Sequence, residues 1–233
     1  MRSAVFMILS VLTMGYSAGA TGSMRFRQYT SQDGLSQNSI FCFAQDQFGF
    51  MWIGSSDGLN RFDGYKFVVY KPQQNDSFSV AGNSVRGIVS SSTGELWIAT
   101  RTGLCRYNRA ANNFIKIPSK GNSPDGPISD ALTDIKEDKN GNLWIGTLEN
   151  GVSVLDPKTM KFTHYVHNDT DTEGALSGND PRGISVGKDG HVWINTWAHG
   201  VNEFDPATGK FKLYSYENGM LPIPNVRGGI CAS

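Results

Sequence analysis

The chain has 233 residues, with 21 basic and 21 acidic side chains, so its formal net charge is zero. That balance argues against a nucleic-acid binder, which needs a basic face to release counterions. A glycine count of 27, with 18% charged and 11% aromatic residues, suits an all-β protein with many tight turns and not a helical or disordered chain.

In chain order, residues 1–20 read as a signal peptide. Arg2 is followed by an apolar run over residues 4–14 and by the small residues Ala18, Gly19 and Ala20, which predicts cleavage after Ala20. The run falls short of the roughly 20 residues that span a bilayer; an uncleaved anchor is the alternative. No cysteine lies near the cleavage site, which speaks against a lipoprotein. The mature chain, residues 21–233, is expected to be exported. Beyond residue 20 no window carries sustained helical periodicity. Residues 24–29, "MRFRQY", followed by Asp33-Gly34-Leu35, match residues 211–214, "FKLY", followed by Asn218-Gly219-Met220. The chain is thus predicted to begin with an outermost strand separated from the sheet it would complete.

Four copies of one phrase follow: "FGFMWIGSSDGLNRFD" (48–63), "TGELWIATRTGLCRYN" (93–108), "NGNLWIGTLENGVSVLD" (140–156) and "DGHVWINTWAHGVNEFD" (189–205). Their tryptophans, Trp52, Trp97, Trp144 and Trp193, are spaced by 45, 47 and 49 residues, the period of a propeller blade. The repeats fall near residues 36–82, 83–127, 128–176 and 177–218, with a partial fifth at 219–233. The second predicts strands at 84–90, 95–101, 103–108 and 113–118, separated by Thr93-Gly94, Thr102-Gly103 and Ala111-Asn112. Gly49, Gly94, Gly141 and Gly190 are placed in left-handed turns before each Trp. Gly54, Ala99, Gly146 and Asn195 are expected to leave room for the neighbouring blade. One blade cannot bury both faces, so the four repeated tryptophans are assigned to inter-blade core; only Trp197 lies outside the register. Residues 225–233, "NVRGGICAS", restart a first strand. Four blades with an orphan strand at each end make an incomplete ring, and the chain is expected to be the N-terminal part of a longer protein.

The unit D-x-x-G-x-L-W-I-G-T-x-x-x-G-(L/V)-x-x-(F/Y/L)-D resembles the two-component regulator propeller repeat over essentially the whole mature chain. Phe50-Met51 in the first unit and Ser91 in the second depart from it. The resemblance implies the periplasmic sensor of a hybrid two-component regulator of Bacteroidota type. Its parent would be anchored in the inner membrane, carry a histidine kinase that this chain does not contain, and be able to dimerise. The implied ligand is an oligosaccharide.

Motifs for chemistry are thin. Gly183 to Gly187 spells G-x-S-x-G around Ser185, but within a predicted first strand and not the strand-to-helix elbow that a nucleophile needs. Asp169, Asp171, Glu173 and Asp180 have calcium-loop spacing without flanking helices, so a solvated loop is the favoured alternative. His164, His167, His191 and His199 show no catalytic spacing. Cys42, Cys105 and Cys231 sit in predicted strands and read as small buried side chains, with a disulfide or metal role as the other possibility. No cofactor is expected.

Binding candidates come from strand alternation, which brings the lead-in to each first strand and the loop from second to third strand to one face. There lie Arg86, Arg182 and Arg227, preceded by Asn38, Asn83 and Asn179 in the repeats, with Asp57, Arg101, Glu149, Trp197 and His199 from the other loops. Planar polar groups beside an aromatic face suit a sugar. Alternatively the arginines pin neighbouring first strands through carbonyls, and the asparagines satisfy backbone groups at the blade lead-ins. The reading is a ligand-binding sensor segment. The alternatives are a propeller enzyme, resembling streptogramin lyase or a glycan-cleaving propeller, for which only Glu149 and His199 stand available, or a protein-interaction propeller.

Overall fold

The computed structural model describes residues 26–169 and 174–215. The signal-peptide reading, Asp171, Glu173, Arg227, Cys231 and the partial fifth unit lie outside the described residues. Among the described residues no helix is long and apolar enough to cross a membrane.

The chain forms four antiparallel four-stranded sheets, each a meander in sequence order. The first holds β1 (Ile40–Gln45), β2 (Met51–Ser55), β3 (Gly58–Phe62) and β4 (Phe67–Tyr70). The second holds β5 (Val85–Ser90), β6 (Leu96–Thr100), β7 (Gly103–Asn108) and β8 (Asn113–Ile117). The third holds β9 (Leu132–Glu137), β10 (Leu143–Thr147), β11 (Val152–Asp156) and β12 (Lys161–Tyr165). The fourth holds β13 (Pro181–Val186), β14 (Val192–Thr196), β15 (Gly200–Asp205) and β16 (Lys210–Tyr214). The first strands β1, β5, β9 and β13 adjoin one another in series, which makes them the innermost strands of an open arc of propeller blades.

Each junction between blades is an apolar cluster built around a tryptophan. Trp52 stacks on Tyr70 of its own blade, ring centroids 5.8 Å apart, and packs at 4.8 Å against Tyr107 of the next. Trp144 repeats this with Tyr165 at 5.6 Å and Phe204 at 4.7 Å. Trp97 joins the cluster between the second and third blades, with Leu155 and Phe162 in the aromatic places. All three are buried. Among the described rings Trp193 packs on Tyr214 alone, tilted at 35°, and it stays half-buried. Its ring points to the side of the fourth blade where no described blade stands.

One carboxylate fixes both the turn and the tryptophan. Asp46 Oδ1 accepts the N–H groups of Phe48 and Phe50, both at 3.0 Å, while Oδ2 accepts the Trp52 indole N–H at 2.9 Å. Asp138 does the same for Asn140, Asn142 and Trp144 at 2.8, 2.9 and 3.0 Å. Asp46 also meets Arg109 of the second blade at 2.6 Å, so it ties two blades together. In the second blade Ser91 caps the turn through its hydroxyl but cannot reach the indole, and Trp97 Nε1 is buried with no acceptor. In the fourth blade the position is Gly187, a departure that the repeat pattern conceals.

The turn glycines Gly49, Gly94, Gly141 and Gly190 have φ of 86°, 83°, 85° and 98°, a region that side chains disfavour. Gly54 is a close-approach position: a Cβ there would lie 2.5 Å from Cys42 Sγ and 2.6 Å from Val85 of the next blade. The described part of the predicted leading strand, residues 26–29, is not a strand, because no described strand lies beside it to pair with. Tyr29 still takes an outer-strand tyrosine's place. It packs on Phe62 and Phe67 at 4.9 and 5.7 Å, as Tyr165 packs on Phe204 and Phe211, both at 5.3 Å.

Two stability outcomes follow from the carboxylate bracket. Asp46→Ala strands a buried indole N–H and a half-buried guanidinium, and is expected to cost about 2 kcal/mol in urea unfolding. Burial raises the Asp46 pKa, but hydrogen bonds from Trp52, Arg109 and the turn outweigh it and hold the carboxyl below its ordinary value. Its contribution is therefore complete above the ordinary carboxylate range and is lost as pH falls through the lowered value; the Ala variant lacks that part of the acid dependence. Conversely, Ser91→Asp supplies the missing acceptor and is expected to raise stability by about 1 kcal/mol in the same assay.

Candidate functional site

The mouth of the arc is assembled the same way in every blade. The residue after each second strand donates its N–H to the lead-in of its own first strand: Ser56 to Ser39 at 3.0 Å, Arg101 to Ser84 at 2.9 Å, Leu148 to Ala131 at 2.7 Å and Trp197 to Asp180 at 2.9 Å. Two residues after each of those carbonyls the first strand is bulged, at Phe41, Arg86, Thr133 and Arg182. A bulge re-aims a side chain and is common beside binding sites. The backbone thus repeats while the two side chains it presents do not.

In the fourth blade Arg182 pairs with Asp180 at 2.6 Å and lies over the Trp197 ring, 5.0 Å from its centroid. In the second blade Arg86 lies 4.0 Å over the ring of Phe41, which belongs to the first blade. Arg86 Nε and Arg101 Nη1 are buried without an acceptor. Burial and the Arg101 charge both lower the Arg86 pKa. Carbonyl pinning, the structural alternative for these arginines, is thus not what Arg86 does. In the third blade Thr133 turns back over Gly146, where a Cβ would lie 2.5 Å from its hydroxyl.

The other candidates lie elsewhere. Glu149 is exposed on its hairpin with φ of 66°, and no described ion pair joins it to the arginines. His199 bonds through Nδ1 to the Trp197 carbonyl at 2.6 Å and its ring lies 6.5 Å from that of His167. Among the described residues no hydrogen bond or ion pair joins Glu149 to His199. Asp57 is paired with Lys71 at 2.6 Å. Asn38 and Asn179 accept the N–H groups of Ser31 and His167 at 2.8 and 2.6 Å, and Asp130 does this for Ser119 at 3.0 Å. The Asn83 and Asn179 carbonyls accept from Gly58 and Gly151, both at 2.7 Å, across the blade junctions. Asp180 is committed to Arg182, and Asp169 meets His167 at 3.0 Å on the surface. Ser185 sits mid-strand opposite Trp193, with no elbow. Burial pushes the Cys42 and Cys105 thiols up to about 12.

Phe41 and Asp130 escaped the sequence reading. The repeat spacing does hold them: counted by the same intervals as the tryptophans, Phe41 aligns with Arg86 and Asp130 with Asn83.

The four sheets define an arc of β-propeller blades, and the sequence comparisons bear on which repeat they resemble. The two component regulator propeller family matches residues 34–57 and 126–149. The two matched stretches fall on the first and third blades. Histidine kinase P4 of Formosa agariphila is 35% identical over 58% of this chain, which spans 17% of that kinase. The extracellular domain of a hybrid two component system from B. thetaiotaomicron superposes with a TM-score of 0.72 and 29% identity over 82% of this chain, or 26% of that one. Virginiamycin B lyase from Staphylococcus aureus, at 18% identity and TM-score 0.59 over 83% of this chain and 60% of the lyase, shares the fold alone.

Because Arg86 holds no strand through hydrogen bonds, Arg86→Met is expected to unfold within about 0.5 kcal/mol of the parent chain or to be more stable. A pinning role would show as a loss of several times that in urea titration.

Proposed function

We propose that this chain is a ligand-binding sensor segment, exported from the cytoplasm, that recognises oligosaccharides and signals to a histidine kinase beyond its own residues. The observation that carries the reading is the Arg182–Trp197 stack at the mouth, 5.0 Å from guanidinium to ring centroid. It sets a planar hydrogen-bonding fork against an indole in the two positions where the repeats differ. Hydroxyl pairs on a sugar suit such a fork, and the C–H face of the ring suits the aromatic surface. The extracellular domain of the B. thetaiotaomicron hybrid system and the Formosa agariphila kinase support the signalling context and a location outside the cytoplasm. The chain binds without turnover on this reading: among the described residues no hydrogen bond or ion pair joins Glu149 to His199, the pair available for acid–base work.

Calorimetry with a panel of neutral and acidic oligosaccharides tests this, with chromatography of the same mixtures. Binding without new products is expected, and Trp197→Ala is expected to weaken it about tenfold. Appearance of cleaved or eliminated product would replace the sensor reading with an enzymatic one.

A further inference from the structure

We propose that Arg86 and Arg101 form an oxyanion subsite for a carboxylate or sulfate ester carried by an acidic oligosaccharide. The proposal rests on the oligosaccharide-sensing reading and adds the charge of the ligand to it.

Both guanidiniums are presented by one small piece of backbone. Val85 pairs with Thr100, the Arg101 N–H bonds to the Ser84 carbonyl at 2.9 Å, and Arg86 occupies the bulge that follows. Arg101 belongs to the loop and Arg86 to the innermost strand, so the two flank the same mouth from two sides.

Their lack of partners sets them apart. The other arginines of the blades have acceptors: Arg61 meets Tyr107 at 3.2 Å, Arg106 meets Glu95, Arg109 meets Asp46 at 2.6 Å and Arg182 meets Asp180 at 2.6 Å. Among the described residues, neither Arg86 nor Arg101 takes part in an ion pair or a side-chain hydrogen bond; each has one nitrogen that is both buried and unpaired, as Arg182 Nε also is, but Arg182 keeps its ion pair with Asp180. A buried donor without an acceptor is costly, and two neighbouring cations add repulsion. An oxyanion relieves both, because its oxygens accept from two forks at once. A metal ion would not, since guanidinium only donates.

Phe41 completes the subsite. Its ring lies 4.0 Å from the Arg86 guanidinium carbon and orients the fork, while the side chain remains 44% exposed and leaves apolar surface for the sugar that carries the anion. The charge is local, since the chain as a whole is neutral. Attraction would therefore come from this pair and not from a basic surface.

The test uses the whole chain in two measurements. In the first, phenylglyoxal modification is mapped by peptide mass, with and without sodium sulfate or sodium galacturonate. Arg86 and Arg101 are expected to be protected and Arg27 not. In the second, calorimetry compares one neutral oligosaccharide with its uronate and sulfated forms, on the parent chain and on Arg86→Gln and Arg101→Gln. An acidic form is expected to bind at least about tenfold more tightly than the neutral one. Either substitution should collapse that gap, and the preferred form tells carboxylate from sulfate. Equal binding of neutral and acidic forms, with no protection, overturns the subsite and leaves the sensor reading standing. Protection by a free anion without binding of any oligosaccharide upholds the subsite and removes the oligosaccharide reading. No protection and no binding overturns both. If a glutamine variant fails to fold, the protection map on the parent chain still decides.

Discussion

The structure depends on one constraint, that a single four-stranded sheet has two apolar faces and nothing of its own to cover them. Trp52, Trp97 and Trp144 meet that constraint by filling the gap to the next blade, and at Trp52 and Trp144 a carboxylate six residues upstream fixes the ring's angle through the indole N–H. Asp46 and Asp138 make this bracket in full. Where it is absent, at Ser91, a buried indole N–H goes unpaired. The blade tolerates that because the ring's apolar contacts with Leu155 and Phe162 remain.

That repeated solution frees the mouth. The lead-in carbonyl, the N–H after the second strand and the bulge form one backbone frame that recurs four times. Because main-chain bonds hold it, the side chains it presents carry no packing duty. Arg86 and Arg101 are the strongest expression of this freedom: two cations of one blade, each with a buried, unsatisfied nitrogen and no ion-pair partner among the described residues. Arg182 differs in having Asp180 as a partner and Trp197 as a platform. The two halves of the mouth therefore have different chemistry, one cationic and one neutral with an aromatic face.

The strands were legible in the sequence because their signals are local. Alternation, turn glycines and the tryptophan period need only neighbours in the chain, and the third strand of the second blade lies at residues 103–108 as read. The leading segment shows where this stops. Its kinship with the outer strands was legible, and Tyr29 packs as that kinship implies, but a strand exists only with a partner and no described strand supplies one. The pairing of carboxylate and indole was half-legible: the acid is part of the repeat, but its role as acceptor for the ring is a three-dimensional fact.

By itself, the sequence determined the blade, the order of its strands, the identity of the inter-blade residues and the face on which variable side chains gather. Each of those follows from short-range periodicity and from repetition. Only the tertiary structure decided which of those side chains are satisfied. Arg86 and Arg182 look alike in sequence, each before a glycine in a first strand. Arg182 finds Asp180 two residues away, whereas Arg86 finds a phenylalanine from the preceding blade and a second arginine from its own loop. Partnership is set by which blades and loops converge, a relation between residues distant in the chain, and no spacing within one repeat encodes it.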